Sequence, residues 1–258
     1  MTRFRTHLDD MPAAGYAYSA VATNRTRAFN SLLFGHIANY QSRGSFNAPE
    51  QLGFEAADDG YRALLGPGLG ETDIDTCVPS TTLAAVMLRW MLVFEERDTD
   101  TIWLLKTAPR RFYPGASGST PPGSSRQPVG SFLSVRQAAT RFGWVSFAVD
   151  SVPGGPSVSA IPHLRLVANV TLVLHGRGHV TKGSGLAVAL RLRDPTGQRV
   201  PRSAAIAGTA AGVAAVTDVD SVGESVTVEV SRAGVHTPAE SSRTVSQTVS
   251  FSLTVVLR

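Results

Sequence analysis

The stretch 90–115, WMLVFEERDTDTIWLLKTAPRRFYPG, decides how the chain is read. An apolar segment ending at Phe94 meets the charges Glu95, Glu96, Arg97 and Asp98, and a second apolar segment, Thr101–Leu105, leaves on the far side. Upstream the apolar residues recur at helical spacing and downstream they alternate, so the charge knot marks a change from helix to strand. The boundary is set between residues 97 and 98. Acidic residues at a helix C-terminus oppose the macrodipole, so the knot reads as a solvated helix end screened by Arg97. Pro109 stops the first strand, and Arg110–Tyr113 form a turn. Arg110 and Arg111 are expected to pair with the acids of the knot or with backbone carbonyls across the joint.

Working upstream, Phe29, Leu32, Leu33, Ile37 and Tyr40 lie on one stripe of a helix spanning residues 28–40, with His36 beside them. Asn24 or Thr23 can cap its start, and Gly44 can sit past its end. A second helix starts at Pro79-Ser80-Thr81 and runs through LAAVMLRWMLVFEE to the knot. Leu83, Val86, Met87, Trp90 and Phe94 form its stripe, but Ala84, Leu88, Met91, Leu92 and Val93 cover its other faces. A helix apolar nearly all round is expected to pack between neighbours.

Downstream, TIWLLKTA, WVSFAVDSV, HLRLVANVTLVLHG, GLAVALRLRD, SVTVEVSR and TVSFSLTVVLR read as strands. Gly- and Pro-containing turns at 153–156, 183–185, 194–197 and 222–224 punctuate them, a pattern that predicts a β-sandwich. Residues 114–130, PGASGSTPPGSSRQPVG, are loop by composition, and AAIAGTAAGVAAV carries no assignable pattern.

Composition narrows the function classes. The 258 residues are 43% hydrophobic with a formal net charge of +4 that is spread along the chain, so no nucleic-acid footprint is expected. The longest apolar run, 82–94, is broken by Arg89 and is too short to span a bilayer, so no membrane partner is expected. Cys77 is the single cysteine, which leaves neither a disulfide framework nor a cysteine-rich zinc site. The first residues lack the apolar segment of a secretory signal, and localisation stays open. The sequons at Asn24 and Asn169 matter only in a secreted protein.

The succession RGSFNAPEQ (43–51), DTCVPS (75–80), RWMLVFEE (89–96), IWLLKTAPRRFY (102–113), ATRFGWVSFAVDS (139–151) and LRLRDPTGQRVPRSAAIAG (190–208) resembles the C-terminal end of bacterial-type six-hairpin glycosidases. The resemblance spans about residues 25–230. It implies the class α+β in two segments: residues 1–97 as a helical fragment of an (α/α)6 toroid, then residues 98–258 as an antiparallel β-sandwich. In the family an oily strand leads to a proline and an aromatic-bearing turn, then a T-x-F-G-x-V-S hairpin, with a further hairpin at the segment matching LRLRDPTGQRV. The loop at 114–130 is longer than the family's, and the last hundred residues carry Ala/Ser/Val-rich sequence outside the resemblance. Most of the toroid is expected upstream of Met1, so the implied partners are carbohydrate and the remaining toroid portion of a larger chain. The activity implied is hydrolysis of glycosidic bonds, with this chain alone inactive. The alternative reading is a non-catalytic β-sandwich module that binds glycan or protein.

Glycoside hydrolysis commonly needs two carboxyl groups flanking the scissile bond. Glu50 is the best catalytic candidate, in the polar loop after the first helix. Arg43, Asn47, Gln51 and Asp75 join it as substrate-binding candidates, because such groups hydrogen-bond sugar hydroxyls, and Phe46 or Tyr40 can stack on a sugar ring. The bland reading makes Glu50 a solvated residue opening a helix, and Asp73 and Asp75 helix-start or turn residues. Cys77 reads as a small buried residue. His36 reads as a hydrogen-bonded core or cleft residue, and His175 and His179 lie in a glycine-broken turn without a carboxylate nearby. No metal site and no cofactor are expected, and Gly66–Gly70 is a turn rather than a phosphate loop.

Overall fold

The structure is a computed structural model of the chain. It describes residues 2–4, 7–9, 11–39, 41, 48, 51–53, 77–96, 98–113, 133–153, 164–175, 185–194, 197–208, 214–231 and 246–257. The chain divides into two compact units, Met1–Leu92 and Val93–Arg258. The described residues give a mixed α+β fold with mostly antiparallel sheets.

Unit 1 contains helices α1 (Met11–Ala22), α2 (Thr26–Asn39) and α3 (Val78–Leu92). It also holds a small antiparallel sheet of β1 (Thr2–Phe4), β2 (His7–Asp9) and β3 (Gln51–Gly53) that a purely helical reading omits. Asn24 adopts a left-handed φ of 59° and closes α1. The Arg25 N–H reaches back to Ala20 O at 2.8 Å and the Asn24 N–H to Val21 O at 3.3 Å, the paired bonds of a Schellman ending. Thr23 belongs to the same ending, its hydroxyl donating to Ser19 O at 2.7 Å. The first bond of α2 starts from Arg25 O, which accepts the Phe29 N–H at 3.0 Å.

The three helices bury small residues against large ones: Ala13, Ala17 and Ala20 of α1, Phe29 and Leu33 of α2, and Leu83, Ala84, Met87 and Met91 of α3. Tyr18 and Trp90 meet edge to face, their centroids 5.5 Å apart. The buried stripe of α3 is Ser80, Leu83, Ala84, Met87 and Met91, whereas Val78, Val86 and Leu88 are exposed. Val86, expected on the stripe, therefore lies off the buried one, and Ala84 and Met91, expected on other faces, lie on it.

The helix predicted to run into the charge knot stops at Leu92. Val93–Glu95 is instead a strand, β4, paired antiparallel with β5 (Thr101–Leu104). A β-branched and an aromatic residue there gain more from cross-strand pairing than from another helical turn, and both Val93 and Phe94 become buried. Glu95, Glu96 and Asp98 thus belong to a β-hairpin rather than a solvated helix end, and Arg97, expected to screen them, lies outside the described residues.

Unit 2 holds the other strands: β6 (Leu133–Thr140), β7 (Gly143–Pro153), β8 (Leu164–His175), β9 (Leu186–Arg191), β10 (Pro201–Ala207), β11 (Ala214–Asp220), β12 (Ser225–Val230) and β13 (Ser246–Leu257). They form two five-stranded sheets, ordered β10-β13-β8-β7-β6 and β11-β12-β9-β5-β4. Each predicted strand segment contains one of these strands. Alternation places Val145, Phe147 and Val149, Leu166 through Leu174 at every second residue, and Val249 through Leu257 at every second residue on the buried face of the first sheet. Leu186, Val188, Leu190, Val226, Val228 and Val230 do the same in the second.

Two features depart from the expected topology. The expected sandwich is antiparallel, yet β5 and β9 run parallel, Thr101 opposite Ala187 through Leu104 opposite Leu190. A parallel pair needs a crossover, and here the chain visits β6, β7 and β8 of the other sheet between the two strands. The LRLRDPTGQRV segment is not a hairpin, because β9 and β10 lie in different sheets. The unassigned AAIAGTAAGVAAV stretch contributes the end of β10 and the start of β11. The T-R-F-G-W-V-S segment does form the β6–β7 hairpin, and Gly143 is required in it. Its φ is 137°, and a Cβ there would collide with the Val173 carbonyl oxygen.

Candidate functional site

Of the residues expected to form the sugar site, Arg43, Asn47, Glu50 and Asp75 lie outside the described residues, as do Tyr40, Phe46 and Asp73. Gln51 is described through its backbone alone, in β3 opposite Asp9. The described residues next to them in sequence are Gln41, Ala48 and the first turn of α3. Ala48 donates its N–H to Thr81 Oγ1 at 3.0 Å and accepts the Cys77 N–H at 3.0 Å. Gln41 Nε2 donates to Thr81 O at 3.3 Å, and His36 Nε2 stands 3.1 Å from Ser80 O. Gln41 and Ala48 are therefore tied to the segment that follows Cys77. His36 is a hydrogen-bonded core residue; burial pushes its pKa below the usual histidine value, against the bond to Ser80.

The densest described polar cluster lies in unit 2, where IWLLKTAPRRFY meets LRLRD. Leu105 leaves β5 with a φ of 62°, uncommon for a bulky residue, and the Ala108 N–H closes back on its carbonyl at 3.1 Å. The parallel ladder ends there, and side chains continue the joining of the two segments. Arg191 donates to Lys106 O at 2.6 Å, Arg193 to Ala108 O at 3.0 Å, and Arg110 to Asp194 O at 3.0 Å. The Tyr113 hydroxyl donates to Arg191 O at 2.5 Å, and full burial drives its pKa up. Burial also lowers the Arg191 pKa, assisted by the charge of Arg193.

Two carboxylates organise this cluster. Glu224 has a left-handed φ of 56° in the turn before β12. It pairs with Arg110 at 2.6 Å and with Arg193 at 3.1 Å, while its carbonyl accepts the Leu192 N–H at 3.0 Å. Glu96 accepts Trp103 Nε1 and Lys106 Nζ, each at 2.7 Å, and the Thr99 hydroxyl at 2.9 Å. Lys106 Nζ also sits 4.9 Å from the Phe94 ring centre and 4.7 Å from that of Trp103. Burial lowers the Lys106 pKa against the pull of Glu96. Burial by itself would raise the Glu96 carboxyl, but hydrogen bonds from Lys106, Thr99 and Trp103 and the Lys106 charge hold it below the ordinary range. A third carboxylate, Asp194, is buried, accepts the backbone N–H groups of Gln198 and Arg199, and pairs with Arg199 at 3.1 Å.

Arg110 therefore pairs inside unit 2, with Glu224 and a carbonyl, and the acids of the knot find other partners. Arg141, in the β6–β7 turn, donates its N–H to Glu95 at 2.8 Å and its guanidinium to Thr99 O, and stands 3.8 Å from Asp100. Glu224 was missed because its partners are 31 and 114 positions away (224 − 193 and 224 − 110). The one local signal is a carboxylate beside Gly223 in a turn. Among the described residues, no three metal-ligating side chains converge, and no helix is long and apolar enough to cross a membrane. The arrangement is a charged clasp joining two segments, and Glu96, Asp194 and Glu224 are each already engaged by a cation. Compared with known proteins, the chain matches no family model, no curated protein and no solved structure.

Proposed function

We propose that the chain is the C-terminal region of a carbohydrate-active protein of the six-hairpin glycosidase kind, acting on glycosidic bonds of polysaccharide or oligosaccharide. In this reading unit 1 belongs to a helical toroid and unit 2 is its non-catalytic β support. The observation that carries it is the meeting of two segments on which the resemblance rests, 102–113 and 190–194, through three arginine-to-carbonyl bonds and the Tyr113 hydroxyl. Such a joint, its carboxylates already engaged by cations, suits a support better than a cleft, since glycoside hydrolysis needs a carboxyl pair open to substrate. Within a toroid, Glu50 is the favoured catalytic group, with Arg43, Asn47, Gln51 and Asp75 contacting sugar.

The test compares hydrolysis of aryl glycosides and oligosaccharides by the 258-residue chain and by the product of the reading frame extended upstream of Met1. The extended frame is expected to encode further helical hairpins and to give an active product, with the shorter chain inactive. An upstream frame without helical hairpins defeats the reading, and turnover by the 258-residue chain defeats the claim that it is inactive alone. A second reading, unit 2 as a glycan-binding module, is favoured by one observation, the exposed face described next.

A further inference from the structure

The outward face of the first sheet of unit 2 is polar, regular and marked by one exposed indole. Trp144 on β7 is 43% exposed, and among the described residues of unit 2 it is the exposed large aromatic. Its neighbours on the same face follow from the register. Ala139 and Val173 flank Trp144 itself; in the next row Ser146 stands opposite Thr171, and Thr171 opposite Ser250; one step further along, Asn169 stands opposite Ser252. The two ladders that build this face, β7–β8 and β8–β13, run without a register shift from Gly143 to Pro153 and from Ser246 to Leu257. Rows of hydroxyl and amide groups therefore cross the strands about 5 Å apart and repeat about 7 Å along them. Thr171 and Ser250 hydroxyls are 3.0 Å apart, and the Ser146 hydroxyl accepts the Gln137 N–H at 2.9 Å. Each of these hydroxyls has capacity for a further bond.

We infer that this face binds a neutral polysaccharide strand, the apolar side of one sugar ring resting on Trp144 and sugar hydroxyls exchanging hydrogen bonds with Ser146, Thr171, Ser250 and Asn169. It rests on the carbohydrate-active reading above and gives unit 2 a site of its own. The charge pattern selects the occupant. Trp144, Ser146, Ala148 and their partners across β8 and β13 carry no charge, and the charged Asp150 and Arg165 stand further along the same face, so the rows around Trp144 suit a neutral polymer. Nucleic acid would call for clustered Lys and Arg, and a protein partner for an apolar centre wider than Trp144 with Ala139 and Val173. An indole offers broad apolar area with little conformational entropy to lose, whereas the smaller Ala139, Val173 and Ser146 beside it leave its surroundings low.

Native electrophoresis of the full chain in gels carrying a neutral β-glucan, xylan or mannan, with polygalacturonate and DNA as anionic comparisons, tests this. At least one neutral polymer is expected to retard the chain. Trp144→Ala should weaken that association about tenfold, Trp144→Phe should keep most of it, and Thr171→Val should weaken it a few-fold. Hydrogen exchange of β7 and β8 in each variant reports whether the sheet is intact. No retardation by any neutral polymer, retardation by the anionic polymers alone, or equal retardation of Trp144→Ala with an intact sheet each overturns the inference. These outcomes separate from the toroid reading, which stands or falls on hydrolysis by the extended product: Trp144-dependent binding with an inactive extended product leaves the face and removes the enzyme.

Discussion

In the helical unit the buried polar residues His36 and Ser80 meet through a neutral ring and a carbonyl, 3.1 Å apart. In the sheet unit Lys106, Arg191, Asp194 and Glu224 are buried as ions, among Arg110, Arg193, Arg199 and Glu96. Neutral burial costs little until the pH supplies a proton. Ionic burial carries its desolvation cost permanently and becomes expensive when one partner is removed. The two units are therefore vulnerable to different insults, and within unit 2 the two carboxylate hubs differ again. Glu224 faces arginines, which keep their charge under all ordinary conditions, whereas Glu96 faces a lysine that can shed it.

The largest effect is expected at Glu224. Glu224→Gln keeps the shape but leaves Arg110 and Arg193 without their carboxylate. Because Arg110 retains access to water, the expected loss in urea unfolding of unit 2 is about 3 kcal/mol, the low end for breaking a buried pair. Replacing Arg110, Arg193 and Glu224 together by methionine should recover most of that loss, since it removes the desolvation cost along with the attraction. A loss below about 1 kcal/mol for Glu224→Gln alone would mean that the clasp is solvated and contributes as little as a surface pair.

At Glu96 the contrast between partners becomes measurable. Glu96→Gln removes the Glu96 charge from the buried Lys106 ammonium and should cost roughly 2 kcal/mol, whereas Lys106→Met, which leaves a part-exposed carboxylate, should cost about 1 kcal/mol. Loss of the lysine charge also removes the main force holding the Glu96 carboxyl low, so its titration should move upward in Lys106→Met. Equal costs for the two variants would show that packing rather than charge governs this hub.

The same contrast explains what sequence alone reveals. The long strands are legible because Leu166 through Leu174 and Val249 through Leu257 alternate without a break. β10 and β11 escape notice because Ala, Ser and Thr give little contrast between faces, as Ala204, Ala205 and Ala215 illustrate. β4 is hidden because Val93 and Phe94 continue an apolar run that already fits a helix. The parallel pairing of β5 with β9 and the Glu224 clasp depend on contacts between distant segments, and no local pattern encodes these. Asp194 is different, because an Asp-Pro-x-Gly turn announces an acceptor for the N–H groups that follow.

The smallest effect belongs to unit 1 and probes the neutral side of the comparison. His36 has its pKa lowered in the folded chain, so between that value and the ordinary one, about 6.5, the unfolded state binds the proton and the folded state does not. Stability contributed by the neutral ring is therefore present above the unfolded value and declines as pH falls below it. Between pH 7.5 and 5.5, hydrogen-exchange protection of α2 and α3, corrected for intrinsic rates, should decrease. His36→Gln can keep the donor to Ser80 O and does not titrate, so the decrease should vanish in that variant even if its protection is lower at both pH values. A shift of about 1 kcal/mol would move the midpoint of a unit this size by roughly 4–8 °C, well within detection. Protection that is flat across this range in the unsubstituted chain, or a decrease that persists in His36→Gln, would place the acid sensitivity of unit 1 elsewhere.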